Sequence, residues 1–118
     1  MSESFHRAAA ESDVGENALI GVILNGWPVA ISRCDGKLYA VIDKCTHAHS
    51  ELSGGRVRHG SIMCPLHGAR FDLATGNCVG AAYRPLKTFP VRAADGWIEV
   101  AVPDKAPGHE HQPARPPL

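Results

Sequence analysis

Two short segments of the chain each place a cysteine close to a histidine. One residue separates Cys45 from His47, two separate Cys64 from His67, and sixteen lie between the two segments. Thiolate sulfur and imidazole nitrogen are common protein ligands for zinc and iron. Zinc-binding sequences usually group like with like, whereas here each segment offers one ligand of each kind. The pattern therefore predicts a four-ligand metal site formed by two loops.

This arrangement suits a cluster whose two irons differ chemically. In a Rieske [2Fe-2S] centre two cysteines hold one iron and two histidines hold the other, so each loop can supply one ligand to each iron. The C-x-H and C-P-x-H-G motifs, with the turn residues Pro65, Gly68 and Gly76, resemble the Rieske family. A strand-rich frame over roughly residues 5–103 extends the resemblance to most of the chain.

The resemblance implies one Rieske-type [2Fe-2S] cluster, with Cys45, His47, Cys64 and His67 as both the metal ligands and the cofactor-binding residues. It implies no catalytic residue. In the family the two histidines are the outermost ligands, so the electron is expected to leave through His47 and His67 toward a partner's cofactor.

Four further residues are expected to surround the ligands. The resemblance places Gly68 in the second ligand loop and Pro85 in a third loop that shields the cluster. Leu66 and Phe71, together with Met63, are expected to form an apolar floor. For Leu66 and Phe71 an ordinary place in the core is equally compatible with the pattern.

Four positions differ from the high-potential branch of the family, the subunits of cytochrome bc complexes. Ser50 and Leu66 stand where that branch has a disulfide between its two loops, and Ala69 and Phe71 stand where it has a serine and a tyrosine. Those hydroxyls donate hydrogen bonds to sulfur and stabilise the reduced state, so their loss predicts a low reduction potential.

Length and composition limit the other possibilities. A chain of 118 residues with 44% hydrophobic residues is long enough for one small domain. Twelve basic and twelve acidic residues balance, so the net charge does not point to nucleic acid or to an anionic membrane. The longest apolar run, 19–24, is too short to span a bilayer, and no basic leader precedes it. We therefore expect a cytoplasmic protein.

Alternating apolar runs separated by turn dipeptides predict strands and no helix. Asn25-Gly26, Asp35-Gly36, His59-Gly60 and Asp95-Gly96 are the expected turns. The predicted strands cover 18–24, 27–33, 38–42, 56–58, 61–63, 86–93 and 97–102. The expected fold is all-β, the Rieske fold, with an antiparallel sandwich or barrel-like base and a small cluster-binding subdomain inserted at about 43–85.

Two cysteines and the C-terminal segment remain outside this site. Cys34 and Cys78 lie beside predicted strands and are expected to be buried thiols, with a redox pair as the alternative. The predicted domain covers residues 1–103. Residues 104–118 are rich in proline and are predicted to be a disordered tail, and the H-x-H pair within it, His109 and His111, is assigned no function.

The most consistent function is that of a one-electron carrier, without catalysis or a small-molecule substrate. The sequence resembles ferredoxin components of bacterial aromatic-ring-hydroxylating dioxygenases, which implies an NAD(P)H-dependent flavin reductase and a terminal Rieske non-haem iron oxygenase as partners. Two alternatives stay open at this point: the small subunit of an assimilatory nitrite reductase, and a redox-sensing or zinc-stabilised interaction module. The chain is too short to be the oxygenase itself.

Overall fold

Eleven strands form three antiparallel sheets in the computed structural model, which describes residues 3–46, 50–65, 68–80 and 83–113. The strands are β1 (Glu3–Ala10), β2 (Leu19–Leu24), β3 (Trp27–Cys34), β4 (Lys37–Ile42), β5 (Arg56–Arg58), β6 (Ser61–Met63), β7 (Arg70–Asp72), β8 (Cys78–Val79), β9 (Thr88–Phe89), β10 (Val91–Ala94) and β11 (Trp97–Pro103). The helical segments within the described ranges are three 3-10 turns of three residues each. The all-β prediction is confirmed.

The predicted hairpin turns set the order of the sheets. Both residues of Asn25-Gly26, Asp35-Gly36, His59-Gly60 and Asp95-Gly96 have positive φ angles, between 50° and 83°. This is the conformation of a two-residue type I′ turn, whose twist matches that of paired strands. The turns join β2 to β3, β3 to β4, β5 to β6 and β10 to β11.

Two of the sheets build the base, and the third forms the inserted subdomain. In the base, one sheet has the order β1-β11-β10 and the other β2-β3-β4-β9. Strand β3 is buried along nearly its whole length, so the main core lies between these two sheets. The third sheet, β5-β6-β7-β8, lies within the predicted inserted segment, between the end of β4 and the start of β9.

Strand boundaries differ from the predictions where pairing is long-range. Strand β1 was not predicted, because its mixed polar sequence ESFHRAAA shows no clear alternation; it forms by pairing with β11, from Glu3 opposite Pro103 to Ala10 opposite Trp97. The predicted strand 86–93 is divided into β9 and β10 at Pro90, which has no N–H to donate to a partner strand.

Residues 104–113 lie against the domain, which differs from the prediction of a disordered tail for this part of the chain. The indole Nε1 of Trp27 donates to the carbonyl of Lys105 at 3.0 Å, and the Asn25 amide donates to the carbonyls of Pro103 and Asp104. Further on, Glu110 forms an ion pair with Arg84 at 3.6 Å. Proline-rich composition excludes strand pairing, but it does not reveal donors supplied from elsewhere in the fold. Residues 114–118 lie outside the described ranges.

The tail brings the half-buried His111 ring to within 5.4 Å of the Trp27 ring. Desolvation there lowers the pKa of His111 from its usual 6.5. Glu110 acts in the opposite direction, and three cations add to the lowering: Lys87, Lys44 and Arg84. The folded protein therefore favours neutral His111.

Acidification should loosen the tail from Trp27. Because the folded pKa of His111 is lowered, its contribution to packing is present above pH 6.5 and is lost as the pH falls through the folded pKa. In an NMR titration from about pH 8 to about pH 5, the Trp27 indole N–H resonance should move, and His111→Gln should abolish that movement. The indole of Trp97, at the far hairpin, is the internal control. The prediction would be contradicted if the Trp27 resonance does not change with pH, or if it moves as much in His111→Gln as in wild type.

No helix in the described ranges is long and apolar enough to cross a membrane.

Candidate metal centre

The first predicted ligand loop begins where β4 ends. Cys45 is fully buried, and its N–H donates to the carbonyl of Ser50 at 2.8 Å. This hydrogen bond brings the two ends of the loop, Cys45 and Ser50, together. The predicted ligand His47 lies outside the described residues.

Asp43 anchors this loop to the base. Its side chain is buried and accepts two hydrogen bonds from Ser53, one from the backbone N–H and one from the hydroxyl, both at 2.6 Å. Gly21 on β2 leaves room for this pair, since a Cβ there would lie 2.6 Å from Asp43 Oδ2. Sequence reasoning did not single out Asp43, although a carboxylate directly after an apolar strand and shortly before a ligand cysteine is a usable signal.

The second ligand loop begins where β6 ends. Cys64 is buried, its N–H donates to the carbonyl of Ala69 at 2.8 Å, and its own carbonyl accepts the N–H of Gly68 at 3.2 Å. Gly68 has a φ of 72°, a conformation that favours glycine, so its predicted place in the loop has a backbone reason. The predicted residues Leu66 and His67 lie outside the described ranges.

The two loops meet at Cys64. The hydroxyl Oγ of Ser50, at the end of the first loop, lies 3.3 Å from Cys64 Sγ in the second. Cys45, Ser50 and Cys64 therefore form one continuous linkage of a backbone hydrogen bond and a hydroxyl–sulfur contact. Sequence reasoning noted Ser50 only as a replacement for a disulfide cysteine, and spacing alone could not show this contact.

Phe71 is fully buried within the inserted subdomain. Phe71 lies opposite Ile62, and Ile62 lies opposite Val57, so the three side chains share one face of that sheet. All three are buried. Burial of Phe71 is compatible both with a floor beneath the cluster and with an ordinary core position, so the floor role stays a prediction. Met63 on the same sheet is 38% exposed and is not part of the floor.

The third loop lies beside the first ligand loop. The hydroxyl of Thr46 donates to the carbonyl of Arg84 at 2.7 Å, and Pro85 lines one cleft together with Cys45 and Thr46. The N–H of Leu86 donates to the carbonyl of Gly76 at 2.8 Å, which joins this loop to the inserted subdomain. Pro85 therefore lies beside the first ligand loop, and its shielding role stays a prediction.

The other two cysteines lie on strands outside the ligand loops. Cys34 ends β3 and is buried, and its sulfur accepts the N–H of Gly60 at 3.1 Å. Cys78 is half-buried in β8 opposite Phe71. Neither forms a disulfide.

The described part of the site suits a thiolate-bound iron cluster. Cys45 and Cys64 are both almost completely buried, and their backbone hydrogen bonds fix the two loops that carry them. Buried thiolates on rigid loops, with a hydroxyl within reach of one sulfur, are the environment in which iron–sulfur clusters are bound and tuned.

Comparison with known proteins agrees with this chemistry. Residues 4–90 match the family model of the Rieske [2Fe-2S] domain. The ferredoxin component of a naphthalene 1,2-dioxygenase system from Pseudomonas putida is 36% identical over 93 residues, which cover 78% of this chain and 89% of that protein.

Solved structures include two informative neighbours. One is a complex of reduced oxygenase and oxidized ferredoxin in carbazole 1,9a-dioxygenase, with a TM-score of 0.76, 32% identity and coverage of 82% of this chain and 92% of that one. The other, named as a putative NADH-dependent nitrite reductase small subunit from Mycobacterium tuberculosis, has a TM-score of 0.78, 25% identity and coverage of 86% and 97%.

The family model and the sequence motifs thus agree on the cofactor, and the dioxygenase relatives are ferredoxins. The chain belongs to the Rieske [2Fe-2S] family and is a Rieske-type ferredoxin, an electron-transfer protein with one [2Fe-2S] cluster.

Proposed function

We propose that Cys45 and Cys64 hold one iron of the cluster and that His47 and His67 hold the other. The burial of both cysteines and the contact of their loops through Ser50 support the thiolate half of this assignment. The histidine half rests on the C-x-H and C-P-x-H-G motifs, which lie inside the matched family domain.

When bound, such a cluster supplies reversible one-electron chemistry at a potential of about −150 to +300 mV, against about −400 mV for plant-type ferredoxins with four cysteines. The residues of this chain hold the thiolates away from water and fix the loops. Asp43 anchors the first loop through Ser53. The Thr46–Arg84 hydrogen bond joins the third loop to the first loop. Ala69 and Phe71, which lack hydroxyls, favour the lower part of the range.

The proposed role is to carry electrons from an NAD(P)H-dependent flavin reductase to a terminal Rieske non-haem iron oxygenase in aromatic hydrocarbon catabolism. The observation that carries it is the likeness, over most of both chains, to ferredoxin components of dioxygenase systems, one of them solved in complex with its oxygenase. In this role the protein is not itself an enzyme and works in the cytoplasm.

A second candidate is a bound subunit of an assimilatory nitrite reductase. The Mycobacterium tuberculosis neighbour favours it, since its fold is as similar as that of the dioxygenase ferredoxins. Such a subunit would form a stable complex with a sirohaem protein, whereas a carrier must dissociate between turnovers. A zinc-stabilised module has no support among these relatives.

Rapid mixing under anaerobic conditions tests the carrier role. The purified protein, first shown to contain iron and acid-labile sulfide in equal amounts, is reduced and mixed with an oxidised terminal oxygenase of the naphthalene type. We expect one electron per chain to reach the oxygenase, followed by separation of the two proteins on gel filtration. The second candidate would instead be established if the reduced protein keeps its electron in this mixture and, in a separate mixture with a sirohaem protein, co-elutes with it and supports nitrite reduction.

A further inference from the structure

Ser50 is in contact with both cysteine loops. Its carbonyl accepts the N–H of Cys45 at 2.8 Å, and its hydroxyl lies 3.3 Å from Cys64 Sγ. Ser50 is half-buried, so its contact with the sulfur is partly shielded from water. One residue therefore joins the two predicted cysteine ligands without a covalent bond.

The direction of the hydroxyl–sulfur hydrogen bond follows from the chemistry of the ligand. In the protein alone either atom could donate. A metal-bound thiolate has no proton, so with Cys64 as a ligand only the Ser50 hydroxyl can donate. Hydrogen bonds to a charged acceptor are stronger than those between neutral groups.

We propose that Ser50 is a positioning residue whose hydroxyl donates to the Cys64 sulfur and raises the reduction potential of the cluster. This inference rests on the proposed function, because it needs Cys64 as a ligand. With a cluster bound, Cys64 Sγ would carry more negative charge in the reduced state than in the oxidised state. The hydrogen bond is then stronger in the reduced state than in the oxidised state, which favours reduction. The proton stays on Ser50 Oγ, and no bond to hydrogen breaks.

Ser50 connects the two cysteine loops at the position where the high-potential branch has a disulfide cysteine. It is therefore one of the positions that depart from that branch. The structure assigns it a compensating part: it connects the same two loops and supplies one hydroxyl donor to sulfur, while Ala69 and Phe71 supply none.

Three variants of the cluster-loaded protein test this role. Ser50→Ala removes the hydroxyl, Ser50→Thr keeps it, and Ser61→Ala makes the same change at the end of β6 remote from Cys64. In Ser50→Ala the equilibrium constant for reduction should fall about tenfold, which is about 59 mV for a one-electron couple. Ser50→Thr should recover most of this loss, and Ser61→Ala should match wild type. The midpoint potential is measured by protein-film voltammetry.

Resonance Raman spectra supply a readout that a purely structural role would not move. In wild type, the iron–cysteine stretching bands should shift on transfer to heavy water, and this shift should shrink in Ser50→Ala. The wild-type isotope shift can be measured even where Ser50→Ala fails to assemble a cluster. Absence of any such shift in wild type, or equal potentials for Ser50→Ala, Ser50→Thr and wild type, would overturn the proposal.

Different results would refute the assignment of Cys64 as a ligand and the role of Ser50. A wild-type protein without equal iron and sulfide, or a Cys64→Ala variant with a full cluster, would refute the ligand assignment. A wild-type cluster that requires Cys64 but has a potential independent of Ser50 would refute this inference alone.

Discussion

Replacing Cys64 by alanine is expected to reduce the [2Fe-2S] content of the purified protein to less than about one-tenth of wild type. Alanine offers no ligand atom, so the iron bound by two thiolates would keep one. Cluster binding also stabilises the loops that hold it, and its loss should lower the stability of the inserted subdomain. The measurement combines iron and acid-labile sulfide assays with low-temperature EPR of the dithionite-reduced protein, where wild type should give a rhombic signal with average g below about 2.

The same substitution at the two other cysteines is a matched control. Cys34 and Cys78 lie on β3 and β8, outside the ligand loops, so Cys34→Ala and Cys78→Ala should keep a full cluster with an unchanged EPR signal. Cys34→Ala loses a hydrogen bond from Gly60 and is expected to be slightly less stable. A full cluster in Cys64→Ala, or a lost cluster in Cys78→Ala with the fold intact, would show that the ligands have been assigned to the wrong cysteines.

Gly76→Ala should cause a large loss of stability in the inserted subdomain. Gly76 has a φ of 81°, which costs an alanine about 1–2 kcal/mol. In addition, a Cβ at this position would overlap the backbone carbonyl of Leu86, which cannot move without breaking the Leu86–Gly76 hydrogen bond. Together these effects should cost about 3 kcal/mol or more. Because Pro85 precedes Leu86, the shielding loop should shift and the cluster should be lost faster.

Gly60→Ala is the control for backbone conformation alone. Gly60 has a similar φ of 77°, but nothing lies within 4 Å of the position that a Cβ would take. It should cost only the conformational penalty of about 1–2 kcal/mol. Cluster-bound proteins seldom unfold in two states, so the rate of visible bleaching in urea is a suitable measure. Equal rates for Gly76→Ala and Gly60→Ala would mean that the close approach at Leu86 does not matter.

Local patterns were sufficient for much of the fold. The four dipeptides predicted as hairpin turns adopt positive φ angles because their residue types tolerate that conformation, a property of two residues and not of the fold. Strands β5 and β6 have the predicted bounds, since each is delimited by such turns or by a ligand loop. The alternation of apolar residues predicted the all-β class, because it too is a local property of each segment.

Long-range pairing decided what local patterns could not. Strand β1 is polar in sequence and is a strand only because β11, almost a hundred residues away, offers it a free edge. Residues 104–113 lie against the domain because Trp27 and Asn25 present donors to their carbonyls. The sequence of β1 does not reveal its pairing with β11, and the sequence of 104–113 does not reveal the donors Trp27 and Asn25.

In the candidate site, too, some features follow from local sequence and others from tertiary contacts. Sequence by itself determined the family, the cofactor and the four proposed ligands, because ligand chemistry depends on residue type and on short spacings within each loop. Only the tertiary structure showed how Asp43 anchors the first loop through Ser53, and that Ser50 reaches the sulfur of Cys64. These contacts depend on how separate loops approach one another, and that approach is set by the packing of the sheets beneath them.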